Sequence, residues 1–199
     1  MGDRAGVEEL EVARAGAGWR IKSHIQTSWP EEVTATVDWE LDELLVTRVL
    51  RIHSRERFSG DHELELTISG NGLLAHRHAP DGPTQLELGW GPAAELDYVS
   101  AAFPAVMLAR AALQPGEVRH VDAVQLSTAD LIPAVVPLRL HRLTLAPDGV
   151  PPGFDQPAAA VVECLVIDTG HVARISTAAS GALLGYSGLL NLAWLEPTK

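Results

Sequence analysis

Apolar and polar residues alternate with a period of two through much of this chain, which places successive side chains on opposite faces of extended strands. From Trp19 to Trp29, the residues Trp19, Ile21, Ile25 and Trp29 share one face, and Arg20, Lys22, His24, Gln26 and Ser28 share the other. That pattern predicts a half-buried antiparallel strand with one wet face. A shorter strand, Glu8 to Arg14, precedes it across Ala15-Gly16-Ala17-Gly18, whose glycines suit a hairpin. From Glu32 to Leu41 the apolar set is Val33, Ala35, Val37, Trp39 and Leu41, opposed by Thr34, Thr36, Asp38 and Glu40. A turn over Glu40 to Glu43 leads into Leu44 to His53, which is apolar on both faces. The pattern fits either a central strand buried on both sides or a short helix, and the β-branched Val46, Thr47, Val49 and Ile52 favour the strand.

Two more strands, His62 to Ser69 and Leu73 to Ala79, are joined by Ser69-Gly70-Asn71-Gly72. An Asn-Gly pair tolerates the positive φ angles of a tight hairpin. Pro80-Asp81-Gly82-Pro83 then turns the chain into Thr84 to Trp90, extending a meander. Between Glu95 and Leu113 the alternation stops, and Phe103, Val106, Met107, Arg110 and Leu113 recur at spacings of three and four. This predicts one helix, with Ser100 as N-cap and Pro115-Gly116 as its stop. Strand texture returns over Val118 to Leu126, Val135 to Leu145, Ala159 to Ile167 and His171 to Ser176, with a proline-rich crossing from Ala146 to Pro157. The glycine-broken apolar tail from Gly181 to Leu195 supplies a last strand or a packed lid. The expectation is a mainly β fold with minor α, a single domain over residues 1–199. Its strands form a curved antiparallel half-barrel sheet covered by one or two helical segments.

Composition narrows the function classes. At 46% hydrophobic and 21% charged residues the chain is that of a folded globular protein. A formal net charge of -11, with scattered basic residues, opposes both nucleic acid and anionic membrane surfaces. The only cysteine, Cys164, lies in the run Val161-Val162-Glu163-Cys164-Leu165-Val166-Ile167 and reads as a small buried hydrophobe. The acidic start lacks the features of a signal peptide, and no run approaches the roughly 18 apolar residues of a membrane span. A cytoplasmic location is expected.

Candidate chemistry is sparse. His76 and His78 share a strand face at about 7 Å, a metal-like spacing, with His62 and Glu63 across the hairpin. The sequence names no definite third ligand, so neither a metal nor a cofactor is expected. Gly185-Tyr186-Ser187-Gly188 only superficially resembles a nucleophile elbow. His120 and Asp122 fall on one strand face and could do acid–base work only if they pointed into a dry cavity. No catalytic residue is assigned. A long meander with one helix leaves a large apolar face to cover, and closure of the sheet, the helix and tail, a ligand, or a second copy in a homodimer could each do so. With a ligand there, the expected lining is Trp19, Trp39, Trp90, Phe103 and Met107.

From Leu64 to Glu117 the order of features is distinctive. A hairpin and Pro80-Asp81-Gly82 are followed by Leu86-Glu87-Leu88, Glu95-Leu96-Asp97-Tyr98-Val99, Phe103-Pro104 and Leu113-Gln114-Pro115-Gly116-Glu117. This resembles a bacterial glycolipid-binding family of cytosolic proteins. The likeness continues through Leu138-Arg139-Leu140-His141-Arg142-Leu143 and Gly185-Tyr186-Ser187-Gly188-Leu189, about two-thirds of the chain in all. The resemblance implies a curved half-barrel similar to lipoprotein carriers, a cavity suited to a lipid tail, and no established catalysis. Where such proteins carry a polar Thr-Asn-Thr run after the proline, this chain has Ala105-Val106-Met107-Leu108. The expected function is binding of a hydrophobic or amphipathic small molecule, lipid or glycolipid-like. The alternative is a non-metal cyclase, isomerase or dehydratase acting on a hydrophobic metabolite, with His76, His78, His120 or Asp97 as acid or base.

Overall fold

Seven strands follow one another as hairpins: β1 (Gly6–Ala15), β2 (Gly18–Thr27), β3 (Val33–Leu41), β4 (Thr47–Glu56), β5 (Gly60–Ser69), β6 (Gly72–His78) and β7 (Thr84–Gly89). They form one antiparallel sheet in chain order. The computed structural model describes residues 6–27, 32–70, 72–91, 94–128, 130–144, 158–178 and 183–187. Period-two alternation sets the register: Ile21 pairs with Trp39, Trp39 with Leu50, and Leu66 with Ala75. One row thus carries buried apolar side chains, while the next row faces out. A one-residue slip would put the whole buried set into water, which is why the register is fixed. Gly18 is required where it stands, because a Cβ there would meet the Leu41 carbonyl oxygen at 2.0 Å.

The second half of the chain makes a separate sheet, which the strand pattern alone did not separate from the first. β8 (Glu95–Asp97), β9 (Val118–Leu126), β10 (Pro133–Arg142), β11 (Ala160–Val166), β12 (Val172–Thr177) and β13 (Leu183–Ser187) lie in the order β13-β12-β11-β10-β9-β8. β8 runs parallel to β9, the exception to an otherwise antiparallel pairing. Parallel neighbours need a crossover, and the helix α1 (Ala102–Ala111) provides it. Pro104 fits within the first turn, where its missing N–H leaves no helix bond unmade. The helix ends at Ala112, whose left-handed backbone lets its N–H bond the Leu108 carbonyl.

α1 buries side chains in two cores. Ala102, Phe103 and Val106 join the apolar face of the seven-stranded sheet, with Trp39, Leu50, Leu66 and Tyr98. Met107 and Ala111, with Ala101 just before the helix, join Val121, Leu138, Leu140, Cys164 and Ile175 of the second sheet. Of the covers foreseen above the chain uses its helix, and the second sheet, which was not foreseen, joins it with Leu96, Val124 and Leu126.

Among the boundaries that differ from the sequence reading, two have a clear local cause. β4 begins at Thr47 rather than Leu44, because the Asp42 carboxylate accepts from the Leu44 and Val46 amides at 2.8 Å each and Leu45 is left-handed (φ 62°). Past an irregularity in its pairing between Thr47 and Val49, the strand alternates cleanly from Leu50, so it is buried on one face, with Arg51, His53 and Arg55 in water on the other. Ser100 sits one residue before the N-cap position yet does cap: its hydroxyl accepts from the Ala102 amide at 3.1 Å. Glu8 on β1 completes that cap, accepting from the Ser100 hydroxyl at 2.5 Å and the Ala101 amide at 2.8 Å. The carboxylate also suits the positive end of the helix. Glu8→Ala is expected to cost about 1–2 kcal/mol, read as a lower urea midpoint with unchanged slope. Trp29 and Trp194, and all of the tail except β13, lie outside the described residues.

Candidate functional site

The outward face of the seven-stranded sheet curves into an open trough of about 1230 Å³. Two transverse rows of side chains floor it. The register aligns Glu9, His24, Thr36, His53, Glu63 and His78, one from each of β1 to β6. The adjacent row holds Glu11, Lys22, Asp38, Arg51, Glu65 and His76. Direct cross-strand neighbours lie about 5 Å apart at Cβ, so each row is a line of interacting groups. Leu10 and Val12 border the trough at the β1 edge, but their alternation turns their side chains to the opposite face, where Leu10 packs against the core.

The second row is largely neutralised from within. Arg20, from the next row along, makes a paired hydrogen bond to Asp38, one contact at 2.7 Å, and so holds that carboxyl below its ordinary range. Arg51 donates to Glu65 at 2.6 Å and lies 3.8 Å from Glu40. In the first row, no ion pair engages Glu9 or Glu63 among the described residues. The floor thus offers free carboxylate acceptors beside imidazoles and one hydroxyl, able both to donate and to accept.

The residues expected from sequence to line a ligand cavity lie elsewhere. Trp39 (1% exposed) stacks on Phe103 (0%) with centroids 4.4 Å apart, and its indole N–H donates to Thr47 at 3.0 Å. Trp90 is buried in the same core and Met107 in the other. Trp19 is half-buried near the start of β2, under the Arg14 guanidinium 3.9 Å from its ring centroid. None of the five lines the trough. Trp39 does lie on the inward face of β3 expected from the alternation, and that face is packed against Phe103 of α1.

His76 and His78 do face the trough, whereas His62 points into the core, its Nδ1 3.4 Å from the buried Arg77 guanidinium. His120 and Asp122 lie on the exposed face of β9. Asp97 is half-buried in β8; burial raises its pKa, opposed by a hydrogen bond from the Gln125 amide at 3.0 Å. Burial likewise pushes the Cys164 thiol up to about 12, in keeping with an inert core position. His24, His53, Glu9 and Thr36 were not singled out from sequence. Their outward alternation was visible, but the register aligning them across six strands was not.

No family model matches this sequence, and no curated protein sequence does. The fold has a solved counterpart: the crystal structure of a DUF1089-family protein from Pseudomonas aeruginosa superposes on 96% of this chain and 94% of that one, with a TM-score of 0.62. The two chains share a fold. At 15% identity, the likeness is one of architecture. Both are mainly β, with the two-sheet arrangement here built around a single helix among the described residues. No described helix is long and apolar enough to cross a membrane.

Proposed function

We propose that this protein binds an amphipathic small molecule, lipid or glycolipid-like, whose polar part rests in the trough of the seven-stranded sheet. The observation that carries this reading is the trough itself. At about 1230 Å³ it exceeds the roughly 300–1,000 Å³ of ordinary small-molecule pockets, and its floor is a continuous polar lattice. A polyhydroxylated head group needs donors and acceptors in alternation, and Glu9, His24, Thr36, His53 and Glu63 supply them in one line. The sequence resemblance to glycolipid-binding proteins points the same way.

Thr36 stands at the centre of the first row and is exposed, so a larger side chain there fills the trough without entering the core. Native mass spectrometry of protein purified without detergent, then incubated with a lipid extract of the host, is expected to show a bound mass. Thr36→Trp should reduce that occupancy by about tenfold or more while leaving the melting curve unchanged. An apo mass throughout would overturn the binding reading. Equal occupancy in Thr36→Trp would move the ligand out of the trough.

A further inference from the structure

A groove of about 360 Å³ opens between α1 and the adjoining ends of β10, β11 and β12, within the roughly 300–1,000 Å³ of small-molecule pockets. Its wall is a third face of the helix, made by Ala105, Leu108, Ala109 and the cap residue Ala112 at helical spacings of three and four. Its floor comes from two adjacent rows of the second sheet: Arg142 pairs with Val162, and Ala160 with Thr177. The lining is therefore apolar over most of its extent, and among the described residues Arg142 is the one charged group on it.

Arg142 is half-buried, and its charge is not balanced. Its Nη1 donates to the Leu113 carbonyl at 2.6 Å, which neutralises nothing and leaves the Nε–Nη2 edge of the guanidinium open. Among the described residues no acid pairs with it. Glu117 is held by Arg119 and by the Gln114 backbone amide, each at 2.8 Å, and Glu163 by Arg174 at 2.9 Å. A cation drawn partly out of water beside apolar surface costs free energy that a counter-ion offsets.

We propose that this groove binds a small monoanionic amphiphile, a carboxylate on an apolar chain or ring, with the carboxylate on Arg142 and the apolar body between α1 and β11. The open edge of a guanidinium matches the two oxygens of a carboxylate. The Thr177 hydroxyl and the Gln114 side-chain amide, on the same lining, supply further donors to that head group. A net charge of -11 repels anions at long range, so the selectivity rests on this local pairing combined with apolar burial. No described residue lines both this groove and the trough, and the site goes beyond the reading of the trough without depending on it.

The test is isothermal titration calorimetry of the full chain with sodium octanoate, and with octanol as the same chain bearing a neutral head. One octanoate per chain is expected to bind, at least about tenfold more tightly than octanol. Arg142→Gln should erase that preference, and Arg142→Lys should keep part of it. Ala109→Trp puts a large side chain into the groove from an exposed helix position and should abolish binding of both compounds. Far-ultraviolet circular dichroism checks that each variant is folded. Absence of octanoate binding, equal affinity for octanol, or full binding by folded Ala109→Trp would overturn the site. Octanoate binding lost in Thr36→Trp and retained in Ala109→Trp would place the molecule in the trough, overturning the groove while leaving the trough reading in place.

Discussion

Phe103→Ala is expected to lower the free energy of unfolding by about 3–5 kcal/mol, more than any single change in the trough. Phe103 is fully buried, stacked on Trp39 at 4.4 Å and met edge-on by Tyr98 at 5.9 Å. Removing its ring leaves a cavity that rigid sheet residues such as Leu50 and Leu66 cannot collapse to fill. It also strips one face of the largest side chain in that core, and aromatic pairs add about 0.5–1.5 kcal/mol beyond the area they bury. A domain of this size loses about 2–4 °C of melting temperature per kcal/mol, so a fall of roughly 10 °C should appear in a circular dichroism melt. Phe103→Leu should recover more than half of it. A loss below about 1 kcal/mol for Phe103→Ala would mean that the stack does not hold the helix to the sheet.

Raising the pH through neutrality is the second large effect. Glu95 on β8 is buried with Arg110 of α1, their ion pair at 2.7 Å, and Arg110 also donates to the Ala94 carbonyl at 3.0 Å. Burial pushes the Glu95 carboxyl up from 4.5 to about 7, with the Arg110 guanidinium opposing the shift. Because the folded state holds this proton more tightly than the unfolded chain does, the contribution is fully present below pH 4.5. It is lost as the pH rises through 7. At about 1.4 kcal/mol per unit, the change is on the order of 3 kcal/mol between pH 4.5 and 8. Asp97, also raised by burial, adds a slope of the same sign. Urea unfolding at pH 5 and pH 8 should therefore show lower stability at the higher pH, and Glu95→Gln should flatten most of the difference. An unchanged slope in that variant would assign the pH dependence to other groups.

Local pattern carried much of this structure, and its reach can be traced residue by residue. The alternation in Val33, Ala35, Val37, Trp39 and Leu41 identified the buried face of β3, and the spacing of Phe103, Val106 and Met107 identified α1. β8 escaped because three residues are too few to show a period, and its parallel partner lies beyond the helix. The division into two sheets escaped for a related reason. Strand texture is the same on both sides of α1, and only long-range pairing says which strands share hydrogen bonds. The trough was hidden by an assumption about sign: apolar faces suggested a cavity, but Phe103 and its neighbours fill that side. The opening lies over polar residues such as His24 and Thr36, which look like ordinary solvated strand positions when read one strand at a time.

The placement of α1 bears on how this chain comes apart. Phe103 and Met107 are a single helical turn apart, yet they belong to different cores. Arg77 of β6 donates to the Asp130 carbonyl of the β9–β10 connection at 2.6 Å, and Glu8 of β1 holds the start of the helix. Melting either sheet would expose one side of α1 and break these ties. Heat, denaturant and protease should therefore meet one cooperative unit, and an amide in the β3–β4 ladder should exchange its hydrogen on the same global timescale as one in β10–β11.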